Sequence, residues 1–449
     1  MHFHHAEDDS RISFWLRVRE YAVPESMIET ATARRHAGDW AGACAAAGFD
    51  VDFHLRSVAR THGRDLTARI RADLRHLAPD LLRWHMPRIA PDGLLRPGLT
   101  VALARYAPAG RDGGPEVHLV ARTPPAWADG GQRIALALWD GVRGEAGIAP
   151  RDARRRSHPD RRYRLDLHRH AWDARRAPEL RARAGADRPT ASHGTPCAVD
   201  RWPEEAALVL RSEGRAGESG LVSVRLGPRQ RLLLELTGTE QTPSLRIHPP
   251  SAPGDTASFP VLPDAATWTL PDLALLRTGS LTPGRLHPLV AAALAPDHAR
   301  AEPARSGGRT GEPRYVDCRG ARHRIGLVDG RLAALDHDPA EVRREELLAA
   351  LSGTPLPCLH AIDTAHRRPD SLTGVRERLA HGDTAGALAV VENLLGPAAV
   401  LREGPLQDAL RSATERRIAY GLFRAGLTDP YPSRVPPLPR KPRHRAGRR

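Results

Sequence analysis

The sequence predicts a mixed α+β protein with helices near the N-terminus, a β-rich body in the centre, and a β-hairpin plus helices near the C-terminus. Apolar residues within 66–84 recur at three- and four-residue intervals, which is typical of an amphipathic helix. From Leu99 onward, short apolar runs are separated by turns rich in Gly, Pro and Asp, as in a series of strands. Further along, Asp329-Gly330 between two apolar runs predicts a type I′ hairpin.

The chain of 449 residues is long enough for two or three cores of ordinary domain size. Neither end shows apolar periodicity, so both termini are expected to be disordered. The predicted order is a disordered extension (1–23), a helical segment (24–92), a β-rich central domain (93–298) with a basic segment (151–188), a linker (299–313), a hairpin plus helical domain (314–428) and a basic disordered tail (429–449).

Local patterns place the individual elements between turn residues. Short helices are predicted at Leu273–Leu276 and His287–Leu294. Strands are predicted at Leu99–Tyr106, Val117–Arg122, Arg133–Trp139, Ala207–Arg211, Leu221–Leu226, Arg231–Leu236, Ser244–His248, Arg324–Val328 and Arg331–Leu335.

Two predicted helical corners share one sequence. The eight residues that begin at Gly38 match the eight that begin at Gly382 at six positions. In each corner, Gly is expected to end one helix and Asp to cap the next, as in a tetratricopeptide repeat. The copies are not in a tandem array, so we interpret them as two independent helical hairpins. The inner glycines, Gly42 and Gly386, are expected where the paired helices cross closely.

The formal net charge of +14 comes almost wholly from arginine, which supplies 66 of the 67 basic residues. Because arginine codons are rich in G and C, this bias is explained first by a high-GC genome and only second by phosphate binding. Residues 151–188 hold 13 arginines and six acids, which predicts a solvated surface whose charges pair with one another. A phosphate-contacting surface around Arg154–Arg156 and Arg161–Arg164, with Tyr163 among them, is the alternative. The tail has no acids and supplies the candidate polyanion contacts, Arg440, Lys441, Arg443, Arg445, Arg448 and Arg449.

Standard catalytic signatures do not occur in the sequence, so no catalytic residue and no cofactor is predicted. On a strand, Asp166, His168 and His170 would share one face, with Asp173 nearby, and could bind a metal. The alternative is a polar strand face whose carboxylates pair with neighbouring arginines. The candidate thiol–imidazole pairs are His193 with Cys197, Cys318 with His323, and Cys358 with His360.

The four cysteines lie far apart, which fits neither a disulfide framework nor a zinc ribbon. A reducing cytoplasm is therefore the predicted location. The sequence has no apolar run long enough to cross a bilayer, so no membrane partner is expected. Charged residues flank the apolar residues Phe14–Leu16, so residues 1–23 do not have the pattern of a signal peptide.

Three stretches are similar to an uncharacterised family of hypothetical proteins from high-GC bacteria: LAPDLLRWHMPR (77–88), HRIGLVDGRLAALDHDPAEVRREELLAAL (323–351) and HGDTAGALAVVENLLGP (381–397). The likeness covers about 24–428. It implies no activity, ligand or catalytic residue. It does imply that the protein accompanies an AAA-type ATPase and a von Willebrand A-type protein.

These observations favour a non-catalytic protein-interaction or adaptor protein whose main partner is another protein. One alternative is weak, non-specific nucleic-acid binding through residues 151–188 and the basic tail. Another is an enzyme of unrecognised class that uses the group around Asp166, His168 and His170.

Overall fold

The structure, a computed structural model, describes residues 2–107, 116–141, 158–188, 196–215, 220–227, 230–238, 242–249, 259–297, 314–318, 321–328, 331–352, 357–359, 372–395 and 403–427. Helices come first, sheets occupy the centre, and helices return near the C-terminus, so the predicted α+β class is confirmed. The predicted linker 299–313 and the tail 429–449, with its candidate polyanion contacts, lie outside the described residues.

Helices fill the N-terminal part of the molecule. They are α1 (His2–Arg17), a π-helical turn (Val18–Ala22), α2 (Glu25–His36), α3 (Trp40–Ala46), α4 (Leu55–His62), α5 (Arg64–His76) and α6 (Pro79–His85). This helical start corrects the expectation of disorder over 1–23. Val18 and Ala22 are fully buried and Phe14 packs against the same cluster, because these three positions share one helix face.

Helix α6 is the buried centre of this part, and Pro79 opens its first turn. All six residues from Pro79 to Trp84 are buried, including three with polar atoms. Buried polar groups need hydrogen-bond partners. The partners are His287 for Asp80 (2.9 Å), Asp272 for Trp84 (2.7 Å) and three backbone carbonyls for Arg83.

The central sheet packs against these helices. The strands are β1 (Phe49–Val51), β2 (Arg88–Ile89), β3 (Leu94–Leu95), β4 (Thr100–Tyr106), β5 (Val117–Arg122) and β6 (Ile134–Trp139). The sheet order is β1-β6-β5-β4, with β1 parallel to β6 and the other pairs antiparallel, while β2 and β3 form a separate ribbon. The strands predicted within 99–139 are thus confirmed to within one residue.

Residues 180–297 build a second sheet and several short helices. These are α7 (Leu180–Arg183), α8 (Trp202–Ser212), β7 (Leu221–Arg225), β8 (Arg231–Gly238), β9 (Pro243–Ile247), α9 (Asp264–Thr267), α10 (Pro271–Arg277) and α11 (Pro288–Leu294). The predicted strand Ala207–Arg211 is wrong, because this stretch lies within α8. Short apolar runs suit either structure, and here Pro203 and Glu204 in the first turn favour the helix.

The C-terminal part combines a small sheet with helices. Its elements are β10 (Arg314–Cys318), β11 (Ala321–Val328), β12 (Arg331–Ala334), α12 (Pro339–Ser352), α13 (Leu372–His381), α14 (Thr384–Leu395) and α15 (Pro405–Ala425). Val328 lies opposite Arg331, which confirms the predicted hairpin pairing. Helix α15 reaches the central sheet, where the Tyr420 hydroxyl donates to Asp50 at 2.7 Å. Among the described helices, none is both long and apolar enough to cross a membrane.

The two Gly-Asp corners share one geometry. In the C-terminal corner, Asp383 Oδ1 accepts from the Gly386 N–H at 2.9 Å, and Oδ2 accepts from Arg378 at 2.8 Å. The N-terminal corner repeats both contacts, Asp39 with Gly42 (2.8 Å) and with Arg34 (3.1 Å). The predicted caps are confirmed, but the reason expected for the inner glycines is wrong. The atoms that a Cβ at either glycine would overlap first belong to the capping carboxylate.

Candidate anion-binding cavity

The segment 162–173 does not form the strand on which a metal site was considered. It runs through turns and one 3-10 turn, Arg169–Ala171. Its candidate ligands have separate neighbours: Asp166 pairs with Arg164 (2.8 Å), His168 lies beside Glu205 (3.1 Å), Asp173 pairs with Arg169 and Arg175 (2.9 Å each), and His170 faces a cavity. The carboxylates therefore pair with arginines, as in the alternative interpretation.

Arginines of the basic segment pair with acids, as predicted, but several of the pairs are partly buried and join distant parts of the chain. Asp73, for example, contacts two of these arginines and also accepts from the Tyr106 hydroxyl at 2.8 Å. Arg154–Arg156 lie outside the described residues. The pairs are Arg162 with Asp264, Arg169 and Arg175 with Asp73, Arg181 with Asp187, Arg183 with Glu205, and Arg188 with Glu204.

A cavity of about 840 Å³ lies between α1, the end of α6 and the basic segment. Most of its wall comes from residues within 10–17, 85–96, 162–171 and 264–271, and Val101, Ala184, Pro196 and Arg201 complete it. Clefts of this volume hold ligands of drug or cofactor size. The cavity therefore depends on α1, which the sequence had placed in a disordered extension.

The wall of this cavity is strongly basic. Six arginines and one carboxylate line it, namely Arg11, Arg17, Arg88, Arg96, Arg162, Arg201 and Asp264. The carboxylate of Asp264 is already paired with Arg162 at 2.8 Å. Within the described chain, Arg88, Arg96 and Arg201 take part in no ion pair. Arg17 pairs with Glu377, which is not part of the wall. The three arginines without an ion pair leave an excess of positive charge in a concave site, and such a site attracts anions.

Four buried nitrogens of lining residues have no hydrogen-bond partner among the described residues. They are His85 Nε2, Arg88 Nε, His170 Nδ1 and Arg201 Nε. A buried polar atom is normally bonded, and leaving it without a partner costs about 1–3 kcal/mol. The residues of the cavity wall therefore include four nitrogens whose hydrogen-bonding capacity is unsatisfied within the described chain.

Burial sets the protonation of the lining side chains. It lowers the pKa of His85 to about 3, and the neighbouring side chains of His287 and Arg88 lower it further. Burial also lowers the pKa of His170 well below its usual value. Both imidazoles are therefore neutral at neutral pH and can each donate one N–H. The pKa of Arg88 is lowered as well, mainly by burial, and an anion in the cavity would offset that cost.

Aromatic side chains complete the wall, and they are Phe14, Trp15, Tyr163 and Trp268. The Arg162 guanidinium lies 5.1 Å from the centre of the Tyr163 ring. Arg11 lies 5.9 Å from the Trp268 ring. Aromatic rings beside arginines bind flat, charged groups by stacking and by charge, as in nucleic-acid sites.

Sequence reasoning identified only part of this site. It noted Arg162 and Tyr163 as a surface alternative, but missed His85, Arg88 and Arg201. These residues come from separate parts of the chain, so no local pattern joins them. The stretch 77–88, which resembles the bacterial family, contains both His85 and Arg88, and it is the one local signal for this site.

The structure also regroups the cysteine candidates. Cys318 and Cys358 lie together with His337. The three residues are too widely separated in the sequence to form a recognisable metal-binding motif. His323, the predicted partner of Cys318, stacks on His337 with 4.2 Å between ring centres. The other predicted partners lie outside the described residues (His193, His360).

A scan of family models and searches of curated proteins and solved structures found no match to this chain. The resemblance to an uncharacterised bacterial family therefore stays a prediction. The function proposed below therefore rests on the chemistry of the cavity.

Proposed function

We propose that the protein binds a small phosphorylated ligand with a flat ring, such as a nucleotide, in the cavity. The observation that carries this proposal is a set of three lining arginines, Arg88, Arg96 and Arg201, that form no ion pair within the described chain. Arginine is the preferred partner of phosphate, because its planar N–H groups match two oxygens at once. A di- or triphosphate supplies enough negative charge to balance several of these arginines.

The lining residues suggest separate roles for the phosphate and ring subsites. Arg96 is the expected two-oxygen phosphate contact, because its exposed guanidinium forms no ion pair with the described residues. Arg88 and Arg201 would offer Nε alone, since their terminal nitrogens already donate to backbone carbonyls. His85 and His170 would donate neutral N–H groups to phosphate oxygens. Trp268 is an expected stacking surface, since its ring lines the cavity and Arg11, which lies over one face, adds positive charge beside it.

The expectations drawn from the sequence relate to this proposal in different ways. An adaptor role beside an AAA-type ATPase stays a prediction, and a nucleotide-binding protein is compatible with it. Non-specific nucleic-acid binding through 151–188 is less favoured, because Arg162, Arg164, Arg169 and Arg183 pair internally. We keep a cytoplasmic location in the proposal, since all four cysteines are free.

Isothermal titration calorimetry of the full-length protein tests the proposal. The ligands are ATP, ADP, AMP, adenosine and inorganic phosphate, at about 50 and 200 mM salt. Affinity should rise with the number of phosphates, and adenosine should bind weakly or not at all. Adenosine binding as tightly as ATP, or no heat from any phosphorylated ligand, would reject the proposal.

A further inference from the structure

Two thiols and one imidazole meet in the C-terminal part, and none of the three residues lines the proposed nucleotide site. Cys318 ends β10, His337 lies in the turn between β12 and α12, and Cys358 lies in the helical residues 357–359. One ligand atom of each residue lies within 4.8 Å of the other two. All three side chains are enclosed: the cysteines are 1% and 0% exposed, and the His337 side chain is 5% exposed.

The surroundings of His337 point to a bound cation rather than to packing alone. Its Nε2 is buried and has no hydrogen-bond partner within the described residues. Its other nitrogen, Nδ1, lies 4.0 Å from the carboxylate of Glu341. In metal sites the second ring nitrogen of a histidine usually faces a carboxylate or carbonyl, which holds the ring in place and leaves the first nitrogen to bind the metal.

We propose that Cys318, His337 and Cys358 bind a zinc ion. Thiolate and imidazole are ligands for Zn²⁺ and similar cations, whereas Mg²⁺ and Ca²⁺ prefer oxygen. With Zn–S bonds of about 2.3 Å and Zn–N bonds of about 2.0 Å, the ligand atoms of a tetrahedral site stand roughly 3.5–3.8 Å apart. The observed spacing reaches that value with a small shift. Three protein ligands leave one position for water or an external ligand.

A zinc ion here would join three separate pieces of a small core. Cys318 and Cys358 belong to a cluster that also contains Ile325, Val375 and Leu379. Small cores have little apolar area to stabilise them, and a structural metal contributes directly to their folding. Chelation of the metal is therefore expected to lower the stability of this part of the protein.

Zinc content provides the first test. Full-length protein produced with added zinc, then dialysed, should contain about one zinc per chain by elemental mass spectrometry. Cys358→Ser and His337→Leu should each lose most of that zinc. Cys197→Ser removes a cysteine outside the cluster and should keep it. Wild-type protein without zinc, or both cluster variants with full zinc, would overturn the proposal.

A spectroscopic test does not depend on how well the variants fold. Cobalt added to chelator-treated wild-type protein should give thiolate-to-cobalt charge-transfer absorption and the visible bands of a tetrahedral site. Glu341→Gln should weaken cobalt binding about tenfold if the carboxylate orients His337. A wild-type spectrum without these bands, or a Cys318–Cys358 disulfide found by peptide mapping of freshly purified protein, would contradict the site.

Discussion

The Arg83 guanidinium donates through Nη2 to the backbone carbonyl of His381 at 2.9 Å, across 298 positions of sequence. Its Nε donates to the Ala22 carbonyl at 2.9 Å, and its Nη1 to the Gln132 carbonyl at 2.6 Å. Arg83 is 1% exposed, and burial lowers its pKa to about 10. One buried cation thus links the N-terminal turn, the loop before β6 and the C-terminal corner.

Replacement of Arg83 should strongly destabilise the protein. Arg83→Met keeps much of the side-chain volume but leaves three carbonyls without their donor. Each buried acceptor left without a partner costs about 1–3 kcal/mol, so the free energy of unfolding should fall by about 3 kcal/mol or more. Urea unfolding measures this change, with Arg60→Met on the exposed face of α4 as the control. A loss of less than about 1 kcal/mol would show that the three contacts contribute little.

Replacement of Gly386 should not give the usual gain in helix stability. Alanine is favoured over glycine in helices by about 1 kcal/mol, but here its Cβ would overlap the Asp383 carboxylate. Loss of that cap costs about 0.5–2 kcal/mol. Gly386→Ala should therefore be neutral or destabilising in the native chain, and stabilising when Asp383→Ala is also present.

Urea unfolding of the four proteins of this double-mutant cycle measures the coupling between positions 383 and 386. Gly421→Ala in α15 is the control, because its Cβ would meet nothing within 4 Å, and it should stabilise the protein. Equal gains from Gly386→Ala in both backgrounds would mean that the carboxylate does not explain the glycine.

Stability should fall as the pH is lowered from about 7 to about 5. Burial lowers the pKa of His85 and of His381 to about 3, and lowers that of His170 as well. The unfolded chain takes up these protons near pH 6.5 while the folded chain does not, so acid favours unfolding. Each such histidine contributes about 1.4 kcal/mol per pH unit below 6.5.

Urea midpoints across this pH range measure the effect. His381→Leu should make the midpoint depend less on pH, because one buried neutral histidine is removed. His36→Gln changes an exposed histidine and should leave the dependence unchanged. A midpoint that stays constant or rises on acidification would show that these histidines are not held neutral.

Much of the fold could be predicted from local sequence patterns. Strand β5 has the predicted bounds, because a short apolar run bounded by turn residues on both sides is typical of a strand. The helix α8 was predicted as a strand, since a run as short as Ala207–Arg211 fits both periods. The apolar face of residues 14–22 was overlooked because the residues before it are polar.

The candidate site could be predicted much less well. Arg162 and Tyr163 lie in a visibly basic segment, and the sequence drew attention to them. Arg201 lies outside that segment, and His85 is the last residue of a buried helix, so no binding motif marks either residue in the sequence. Only tertiary packing brings the basic segment, Arg201 and His85 together around one cavity.

The central claim is that the basic cavity binds a phosphorylated ligand. The affinity for ATP of two charge-reversal variants, one inside and one outside the cavity, tests it most directly. Arg96 lines the cavity, is exposed, and forms no ion pair with the described residues, so Arg96→Glu should leave the fold intact. Arg60→Glu makes the same change on α4, outside the lining. A lost charged contact of about 1.5–3 kcal/mol should weaken ATP binding by Arg96→Glu roughly 10- to 100-fold in calorimetric titration. Arg60→Glu should bind ATP like the wild-type protein. Equal affinities in the two variants would contradict the account.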